Sequence, residues 1–335
     1  MEIEVSTAST IDVRTMWRAR SANGWVGVVA NRHSGVGGGR VKVERLADAL
    51  GRRGLASRIC WTHDERAEVV ARARGDSTCR CLVAVGGDGT VAALVNEAPD
   101  VPISVLPAGT ENLFARHYGI RDCPERVAAT IASGRIRRID LGVAGERKFT
   151  LMAGFGFDAD VVFRHHLARL GGSGVARPTS RAAYVSPVLE SSLEYRFPSL
   201  RVRIEDPGEE TVLVGSTVFL FNLPRYALGL PVAPAALDDD GRLDLVVFRD
   251  AGPFRMLRYL WLVFRGIHLE KPGVVHRSVR SVTIESAADV PVQLDGDPAG
   301  RIGADRLEDS ARFEVRILPA AIDIVVPEHH RKHHT

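Results

Sequence analysis

The 335-residue sequence predicts an α/β domain with a doubly wound parallel sheet, followed by a mainly antiparallel β domain. Two observations lead to this prediction. In the first part of the chain, short apolar runs alternate with segments of helical spacing and end in glycine-rich turns. From residue 139 onward, short β-branched runs follow one another at turn-separated intervals. The length also exceeds that of a usual single domain, so two domains are expected.

The strands and helices of the first part alternate regularly. Predicted strands are Trp25–Ala30 and residues 56–61, 81–85 and 101–106. Predicted helices are residues 41–50, 65–73, 90–96 and 128–133. Ligands of such sheets bind outside the carboxyl ends of the strands. The loops at Asn31, Gly86 and Gly109 are therefore expected to converge there.

The second part is predicted to consist of strands with two helical interruptions. The predicted strands are residues 139–141, 149–153, 200–205, 211–221, 281–286 and 312–318, together with Leu243–Phe248 and Val290–Leu294. The helical interruptions are residues 157–194 and 253–266. Residues 1–22 form an extension of uncertain order, and residues 329–335 are predicted to be a disordered tail.

The stretch from Gly86 to Thr90, Gly-Gly-Asp-Gly-Thr, lies between an apolar run and a helical segment. Its three glycines let a ligand approach backbone N–H groups, which at a helix N-terminus form an anion site. A carboxylate such as Asp88 suits that site if a divalent cation lies between it and the phosphates. The stretch therefore indicates a magnesium-bound nucleotide, and a simple tight turn is the alternative.

Composition excludes several classes of protein. No apolar run is long enough to span a bilayer, and the N-terminus lacks the apolar segment of an export signal, so we expect a cytoplasmic protein. A net charge of +3 is too small to indicate nucleic-acid binding. Cys60, Cys79, Cys81 and Cys123 lack paired metal-ligand spacing and are interpreted as reduced thiols.

Seven motifs of this chain occur together in one order. They are Asn31-x-x-Ser34-Gly35, Gly86-Gly87-Asp88-Gly89-Thr90, Leu106-Pro107-x-Gly109-Thr110-x-Asn112, Asp140-Leu141-Gly142, Gly154-x-Gly156-x-Asp158, Asp239-Asp240-Gly241-x-Leu243-Asp244 and Leu294-Asp295-Gly296-Asp297. With them the chain resembles the diacylglycerol kinase catalytic-domain family of lipid kinases, which is related to sphingosine kinases and shares a superfamily with NAD kinases. The likeness extends over residues 25–327. Each motif alone is weak, but their common order across two domains is specific.

The resemblance implies a fold and a set of ligand contacts. It implies a nucleotide-binding α/β domain at residues 23–139, a β-sandwich lipid-substrate domain at residues 140–318, and a return of residues 319–328 to the first domain. The implied ATP contacts are Asn31, Ser34, Thr62, Gly86, Gly87, Asp88, Gly89, Thr90, Gly109, Thr110 and Asn112. The implied Mg²⁺ carboxylates are Asp88 and Asp140. A structural cation site is implied at the carbonyls of Leu237 and Arg242 and the side chain of Asp240. Without the resemblance, Asp140 and Asp240 would be interpreted as turn residues.

The family's Asp-Gly-Glu motif supplies the group that accepts the proton of the substrate hydroxyl. Here the motif is Asp295-Gly296-Asp297, so both acids are candidates for the catalytic base, with Asp88 the next. In an extended strand their two side chains would point the same way and share one site. The sequence departs from the family in two places. Leu113 stands where many members have an aspartate, and Ala92 where an asparagine is common.

Residues 254–265 predict an amphipathic helix. At 100° per residue, Arg255, Arg258 and Arg265 fall within an arc of about 80°, while Phe254, Leu257, Leu260, Trp261 and Phe264 fill the remainder. Such a helix suits a membrane interface, with the arginines at anionic headgroups. A helix packed on the β domain with its arginines reaching solvent is the alternative.

These patterns together predict an ATP- and Mg²⁺-dependent lipid kinase that phosphorylates the hydroxyl of a lipid such as diacylglycerol. It is expected in the cytoplasm, with peripheral contact at the inner face of the cell membrane, and without a transmembrane segment or a nucleic-acid partner. A homodimer is left open. The alternatives are an NAD kinase-like enzyme, which shares Gly-Gly-Asp-Gly, and a non-catalytic lipid- or nucleotide-binding regulator, which Leu113 and Ala92 motivate.

Overall fold

A computed structural model describes residues 24–30, 39–98, 100–170, 183, 185–206, 209–303 and 312–328 of the chain. The predicted extension at residues 1–22 and the predicted tail at residues 329–335 lie outside the described residues. The same is true of Asn31 and Ser34 in the loop after the first strand.

The first domain is built on parallel strands that are almost entirely apolar. Its strands are β1 (Trp25–Ala30), β2 (Ala56–Cys60), β3 (Cys79–Gly86) and β4 (Ile103–Pro107). Its helices are α1 (Gly39–Gly51), α2 (His63–Gly75), α3 (Asp88–Glu97), α4 (Leu113–His117) and α5 (Pro124–Ser133). All residues of β1 and β4 are buried, as expected for parallel strands that are covered on both faces.

The strand order of this sheet locates its ligand crevice. The strands pair in parallel in the order β2-β1-β3-β4. From β1 the chain therefore moves outward to β2 and then returns to the opposite side of β1 at β3. In doubly wound sheets, ligands bind at this reversal, beyond the carboxyl ends of the two strands. Here β1 is followed in the sequence by residues 31–38, and β3 is followed by Gly87.

The second domain has two antiparallel sheets with three helices at their margins. Its strands are β5 (Ile136–Ala144), β6 (Arg147–Phe149), β7 (Met152–Gly156), β8 (Leu200–Asp206), β9 (Glu209–Gly215), β10 (Thr217–Phe221), β11 (Leu243–Phe248), β12 (Val274–Val279), β13 (Ser281–Glu285), β14 (Val290–Leu294), β15 (Asp297–Ile302) and β16 (Arg312–Val325). Its helices are α6 (Phe157–Leu170), α7 (Val185–Glu194) and α8 (Pro253–Phe264).

The two sheets pack face to face. One sheet has the order β12-β11-β10-β7-β14-β15, and the other contains β16-β13-β8-β9. Phe155 and Leu220 from the first sheet belong to the same buried core as Val282 and Ile284 from the second. This arrangement confirms the predicted antiparallel β-sandwich.

Strand β16 joins the two domains. It pairs antiparallel with β5 along both strands and parallel with β4 at Ile324, so the sheet of the first domain continues into the sandwich. The register of β5 and β16 shifts between Leu318 and Ile322, where Ala320 has a positive φ of 48°. The predicted return of the C-terminal segment to the first domain is therefore confirmed.

One predicted strand is divided in the structure. Residues 211–221 were expected to form a single strand, but β9 belongs to one sheet and β10 to the other. The chain changes sheets at Gly215 and Ser216, where a Cβ on Gly215 would lie 2.4 Å from a methyl group of Val247. Gly215-Ser216-Thr217 interrupts the apolar run between Val214 and Val218 at this corner. None of the described helices is long and apolar enough to cross a membrane.

The close approach of β5 to β6 generates a stability prediction. A Cβ on Gly142 would lie 1.9 Å from the ring of Phe149, which is fully buried. We expect Gly142→Ala to lower the free energy of unfolding by about 1–3 kcal/mol, the usual cost of overpacking. Urea unfolding measures this change in the free energy of unfolding. Gly75→Ala is the control because nothing lies within 4 Å of its added Cβ, and equal losses in both variants would contradict this account.

Candidate active site

Two glycine loops meet backbone to backbone beyond the sheet. Gly86 ends β3, and Gly87 is the N-cap of α3, which has no side-chain capping hydrogen bond. A Cβ on Gly109 would lie only 2.5 Å from the Cα of Gly87. Position 109 therefore requires glycine, since a methyl group there would separate the loops, and a Cβ on Gly87 would also be tight, at 3.2 Å from the Gly109 Cα. The predicted convergence of these two loops is confirmed.

Asn112 shapes the second loop. Its backbone is left-handed, with φ of 49°, and it caps α4. Its Oδ1 accepts a hydrogen bond from the Gly109 N–H at 2.9 Å, and its Nδ2 donates to the Gly109 carbonyl at 2.7 Å. An asparagine tolerates this backbone conformation better than most residues. Asn112 thus holds Gly109 against Gly87, and Thr110 lies exposed within the same loop.

Asp88 binds the first turn of α4. Its Oδ2 accepts the Leu113 N–H at 3.0 Å, and its Oδ1 accepts the Phe114 N–H at 2.9 Å. Burial raises the pKa of Asp88, the two N–H donors oppose this, and the negative charge of Glu111 adds to it. Each carboxylate oxygen keeps a further lone pair. Asp88 therefore links the two loops and retains the capacity to bind a cation.

Asp297 faces the first loop from the other domain. Gly89 is exposed, and a Cβ built on it would meet a single heavy atom within 4 Å, the Asp297 Oδ2 at 3.2 Å. The side-chain carboxylate of Asp297 accepts no hydrogen bond from the residues that the structure describes. Burial raises the pKa of Asp297, while the charges of Arg147, His166 and Arg169 lower it. The Asp297 carboxylate of the second domain thus lies directly beside the glycine loop of the first domain.

The expectation that Asp295 and Asp297 share one site is wrong. Asp295 and Gly296 have positive φ angles of 53° and 85°, and Leu294 pairs with Asp297, so the motif is a two-residue hairpin loop. The turn rotates the two side chains away from each other. Asp297 faces Gly89, whereas Asp295 points into the protein.

Asp295 anchors this hairpin to residues 150–152, where β7 begins. Its Oδ2 accepts the Thr150 N–H at 2.7 Å and the Thr150 hydroxyl at 2.9 Å. Its Oδ1 accepts the N–H groups of Leu151 and Met152 at 2.8 and 3.0 Å. Burial raises the pKa of Asp295 to about 6 although these hydrogen bonds lower it. The carboxylate is occupied by four donors, so its place in the structure is that of a buried anchor.

A second contact supports the same hairpin and was missed by the sequence analysis. The Gln293 Oε1 accepts the Gly296 N–H at 2.9 Å, and its Nε2 donates to the Asp158 Oδ2 at 2.8 Å. The Tyr226 hydroxyl donates to the same oxygen at 3.1 Å, and burial raises the pKa of Asp158 to about 6. The available signal was Gln293 itself, a polar residue within the otherwise apolar run Val290–Leu294, all of which is buried.

Other predicted site residues have structural partners. Thr62 forms a capping box with Glu65 at the start of α2. Both oxygens of Asp140 accept backbone N–H groups at 2.7 Å, Oδ1 from Ala320 and Oδ2 from Gly241. The Asp240 Oδ1 accepts the Arg242 N–H at 3.0 Å, and burial raises the pKa of Asp240. Leu237 is half-buried one residue before Asp238.

The side chains of this site suit Mg²⁺ bound together with a nucleotide phosphate better than an Mg²⁺ ion held by protein ligands alone. Within the described ranges, no group of three or more His, Cys, Asp or Glu side chains is placed to hold a metal. Mg²⁺ is usually bound by one or two carboxylates together with substrate phosphates and water. Asp88 at the glycine loop, with a lone pair left on each oxygen, fits that mode of binding.

The contrast between Asp295 and Asp297 generates a prediction. In Asp295→Asn, the amide group would face at least one backbone N–H whichever way it is turned. We expect the free energy of unfolding to fall by about 1–3 kcal/mol for each donor left unpaired. Asp297→Asn should unfold like the wild type, since its carboxylate accepts no such bonds. Ligand-free urea unfolding measures both, and an unchanged midpoint for Asp295→Asn would show that the four contacts do not anchor the turn.

Comparison with known proteins agrees with this geometry. Residues 26–144 match the model of the diacylglycerol kinase catalytic domain, and residues 155–326 match that of the YegS C-terminal NAD kinase beta sandwich-like domain. The chain is 30% identical over 276 residues to a diacylglycerol kinase of Mycobacterium tuberculosis, covering 80% of this chain and 82% of the relative. It is 26% identical over 304 residues to a protein of Chromohalobacter salexigens named "Probable lipid kinase YegS-like", with coverages of 87% and 91%.

Solved structures support the fold. The crystal structure of a diacylglycerol kinase from Bacillus anthracis str. Sterne aligns with a TM-score of 0.63 at 16% identity, covering 92% of this chain and 98% of that one. A second crystal structure from the same organism aligns with a TM-score of 0.68 at 19% identity, with coverages of 92% and 97%. The two matched domains, the extended similarity to the mycobacterial kinase and the shared fold establish that this chain belongs to the diacylglycerol kinase catalytic-domain family.

Proposed function

We propose that the protein is an ATP-dependent kinase that transfers the γ-phosphoryl group to the hydroxyl of a lipid such as diacylglycerol. The observation that carries this proposal is the position of the Asp297 carboxylate directly beside Gly89, where a Cβ built on the glycine would lie 3.2 Å from Oδ2. This carboxylate accepts no hydrogen bond from the described residues, and it lies at the N-terminus of α3, beside the loop that would hold phosphates. Phosphoryl transfer depends mainly on such positioning and on neutralisation of charge.

The nucleotide is assigned to the converging glycine loops. The uncapped N-terminus of α3 offers backbone N–H groups to phosphate oxygens, and Gly109, followed in the chain by Thr110, lies directly against Gly87 there. Residues 86–90 contain no lysine or arginine. A bound Mg²⁺ would supply the missing positive charge, with Asp88 as its protein ligand. Asn31, Ser34 and Thr62 complete the proposed nucleotide contacts.

Asp297 is assigned as the general base. A base works best when its pKa lies near the working pH, and burial raises the pKa of Asp297 in that direction. Its lack of hydrogen-bond donors leaves both oxygens available for a substrate hydroxyl. Asp295, whose oxygens are occupied by four donors, serves instead to hold the turn that presents Asp297.

The lipid is assigned to the exposed face of α8. Phe254 is 86% exposed and Trp261 is 57% exposed, while Tyr259 and Leu262 are buried against the domain. The buried side of α8 packs on the domain, and its other side is exposed. Helix α7 contacts α8 and exposes further apolar side chains, among them Leu193. Contiguous apolar exposure of this kind is typical of a membrane-contacting surface, and it supports a protein that acts peripherally at the inner face of the cell membrane.

Two alternatives remain for the reaction. An NAD kinase-like enzyme would share the glycine loop but would not need the exposed apolar faces of α7 and α8. A non-catalytic regulator would be consistent with Leu113, which stands where many members of the family have an aspartate. The Leu113 N–H nevertheless donates a hydrogen bond to Asp88 here. The unoccupied carboxylate of Asp297 favours catalysis over both regulation and simple binding.

The direct test is transfer of radiolabel from ATP into mixed micelles containing candidate lipids, with NAD in a parallel reaction. Label in a lipid and none in NAD is expected. Asp297→Asn should lower kcat by about 10²–10⁴-fold, as for other acid–base groups, with little change in the KM for ATP. Asp48→Asn, an exposed acid on α1, is the control. A kcat within about threefold of the wild type would require a different base.

A separate prediction concerns the exposed face of α8. Trp261→Ser should lower activity on lipid vesicles more than activity on a short-chain soluble analogue, because only vesicles require interfacial contact. Leu262→Ala, on the buried side of the same helix, should lower stability and reduce both activities alike. Equal losses on both substrates for Trp261→Ser, together with reduced stability, would assign Trp261 to the core.

A further inference from the structure

A cavity of about 400 Å³ lies beside α8, remote in sequence from the glycine loops and from the hairpin at Asp297. It is bordered by the end of β11, by one side of α8 and by the segment that leads into β12. Three cationic side chains line it, Arg249 from the first of these elements, Arg258 from the second and Lys271 from the third. The fold thus gathers three like charges from separate segments around one space.

These three cations have no protein counterion in the described part of the chain. The side chains of Arg249, Arg258 and Lys271 form no hydrogen bond or ion pair there, whereas Arg255, one turn before Arg258, pairs with Asp250 at 3.2 Å. A cleft lined by one sign of charge concentrates counterions within it. The positive charge of the cavity lining therefore favours the binding of an anion.

Asp250 is the one acid in the cavity lining, and it does not neutralise the cluster. Its carboxylate pairs with Arg255, which is outside the cavity lining, so the lining holds three cationic side chains and one acid that is already paired. The wall is also held in place by Tyr259, whose hydroxyl donates to the Gly273 carbonyl at 3.0 Å and accepts the Asp250 N–H at 3.3 Å. These two hydrogen bonds fix the backbone at Asp250 and Gly273, which are close in the chain to Arg249 and Lys271.

The position of the cavity on α8 indicates which anion it meets. Arg258 lies between Phe254 and Trp261 in sequence, at the border of the exposed apolar face of the helix. A helix that lies on a membrane with this face downward brings its border to the level of the lipid phosphates. Guanidinium and ammonium groups are the side chains that bind phosphate oxygens most strongly.

We propose that this cavity binds the phosphate group of an anionic phospholipid and so directs the protein to negatively charged membranes. The proposal rests on the membrane contact of α8 described above, but it assigns a second lipid site that does not take part in the reaction. The bound phospholipid is neither substrate nor product there, and no covalent step is involved.

The test is co-sedimentation with vesicles, which does not require catalytic activity. Vesicles of phosphatidylcholine alone are compared with vesicles that also contain phosphatidylglycerol. The wild type should prefer the anionic vesicles. Arg249→Gln/Arg258→Gln/Lys271→Gln should lose about fivefold in binding for each charge removed, which corresponds to about 1 kcal/mol per basic residue at the surface. Binding to anionic vesicles equal to that of the wild type would overturn the proposal.

A control variant separates a local site from overall charge. Arg52→Gln/Arg121→Gln/Arg126→Gln removes the same number of charges from exposed positions of the first domain. It should keep the preference for anionic vesicles, and an equal loss in both triple variants would overturn the proposal. Both must share the thermal midpoint of the wild type, and Lys271→Gln alone serves if the first triple variant does not fold. Vesicle binding is measured directly. A failed kinase assay would therefore contradict the proposed reaction but would not affect the interpretation of vesicle binding.

A further arm distinguishes a lipid headgroup from a soluble phosphate. Glycerol 3-phosphate is titrated into the protein without vesicles and then added to the vesicle assay. The proposal predicts no saturable binding at concentrations that leave vesicle binding intact. Saturable binding that Trp261→Ser does not change, together with loss of vesicle preference, would assign the cavity to a soluble anion and overturn the lipid assignment.

Discussion

The carboxylate of Asp140 lies at the junction of the two domains and holds the chain where both share one sheet. Its Oδ1 binds the N–H of Ala320, at the left-handed kink of β16, and its Oδ2 binds the N–H of Gly241. Strands β5 and β16 pass through this point, so the parallel sheet and the sandwich cannot rotate freely about each other. The distance between the glycine loop and the Asp297 hairpin depends on this junction, because each belongs to a different domain.

Buried polar groups then determine where the hairpin points. Asp295 and Asp158 are costly to bury as charged groups, which is why burial raises the pKa of each to about 6. Their hydrogen bonds offset that cost and hold the turn from two sides. Asp295 binds Thr150 just before β7, and Asp158 binds Gln293, which in turn binds Gly296. A catalytic carboxylate must be placed within a fraction of an ångström. A turn fixed by directional hydrogen bonds meets this requirement better than one held by apolar contacts.

The same region connects the site to helices α7 and α8. Phe157, which precedes Asp158 in α6, stacks on Phe197 with ring centroids 5.5 Å apart. This small core also includes Val188 of α7 and Met256 of α8. Helices α7 and α8 therefore pack, through Val188 and Met256, on the helix that carries Asp158.

Residue patterns alone were enough to predict the fold class, most strand positions of the first domain and the convergence of the glycine loops. These features follow from local properties, namely apolar periodicity, the backbone freedom of glycine and the polarity of parallel sheets. Three others required contacts between segments that are distant in sequence. The division of residues 211–221 between two sheets depends on the packing of Gly215 against Val247. The opposite orientations of Asp295 and Asp297 depend on N–H groups about 145 residues away along the chain. The exposure of Trp261 depends on which side of α8 the domain covers, because periodicity shows that a helix has an apolar face but not what lies against it.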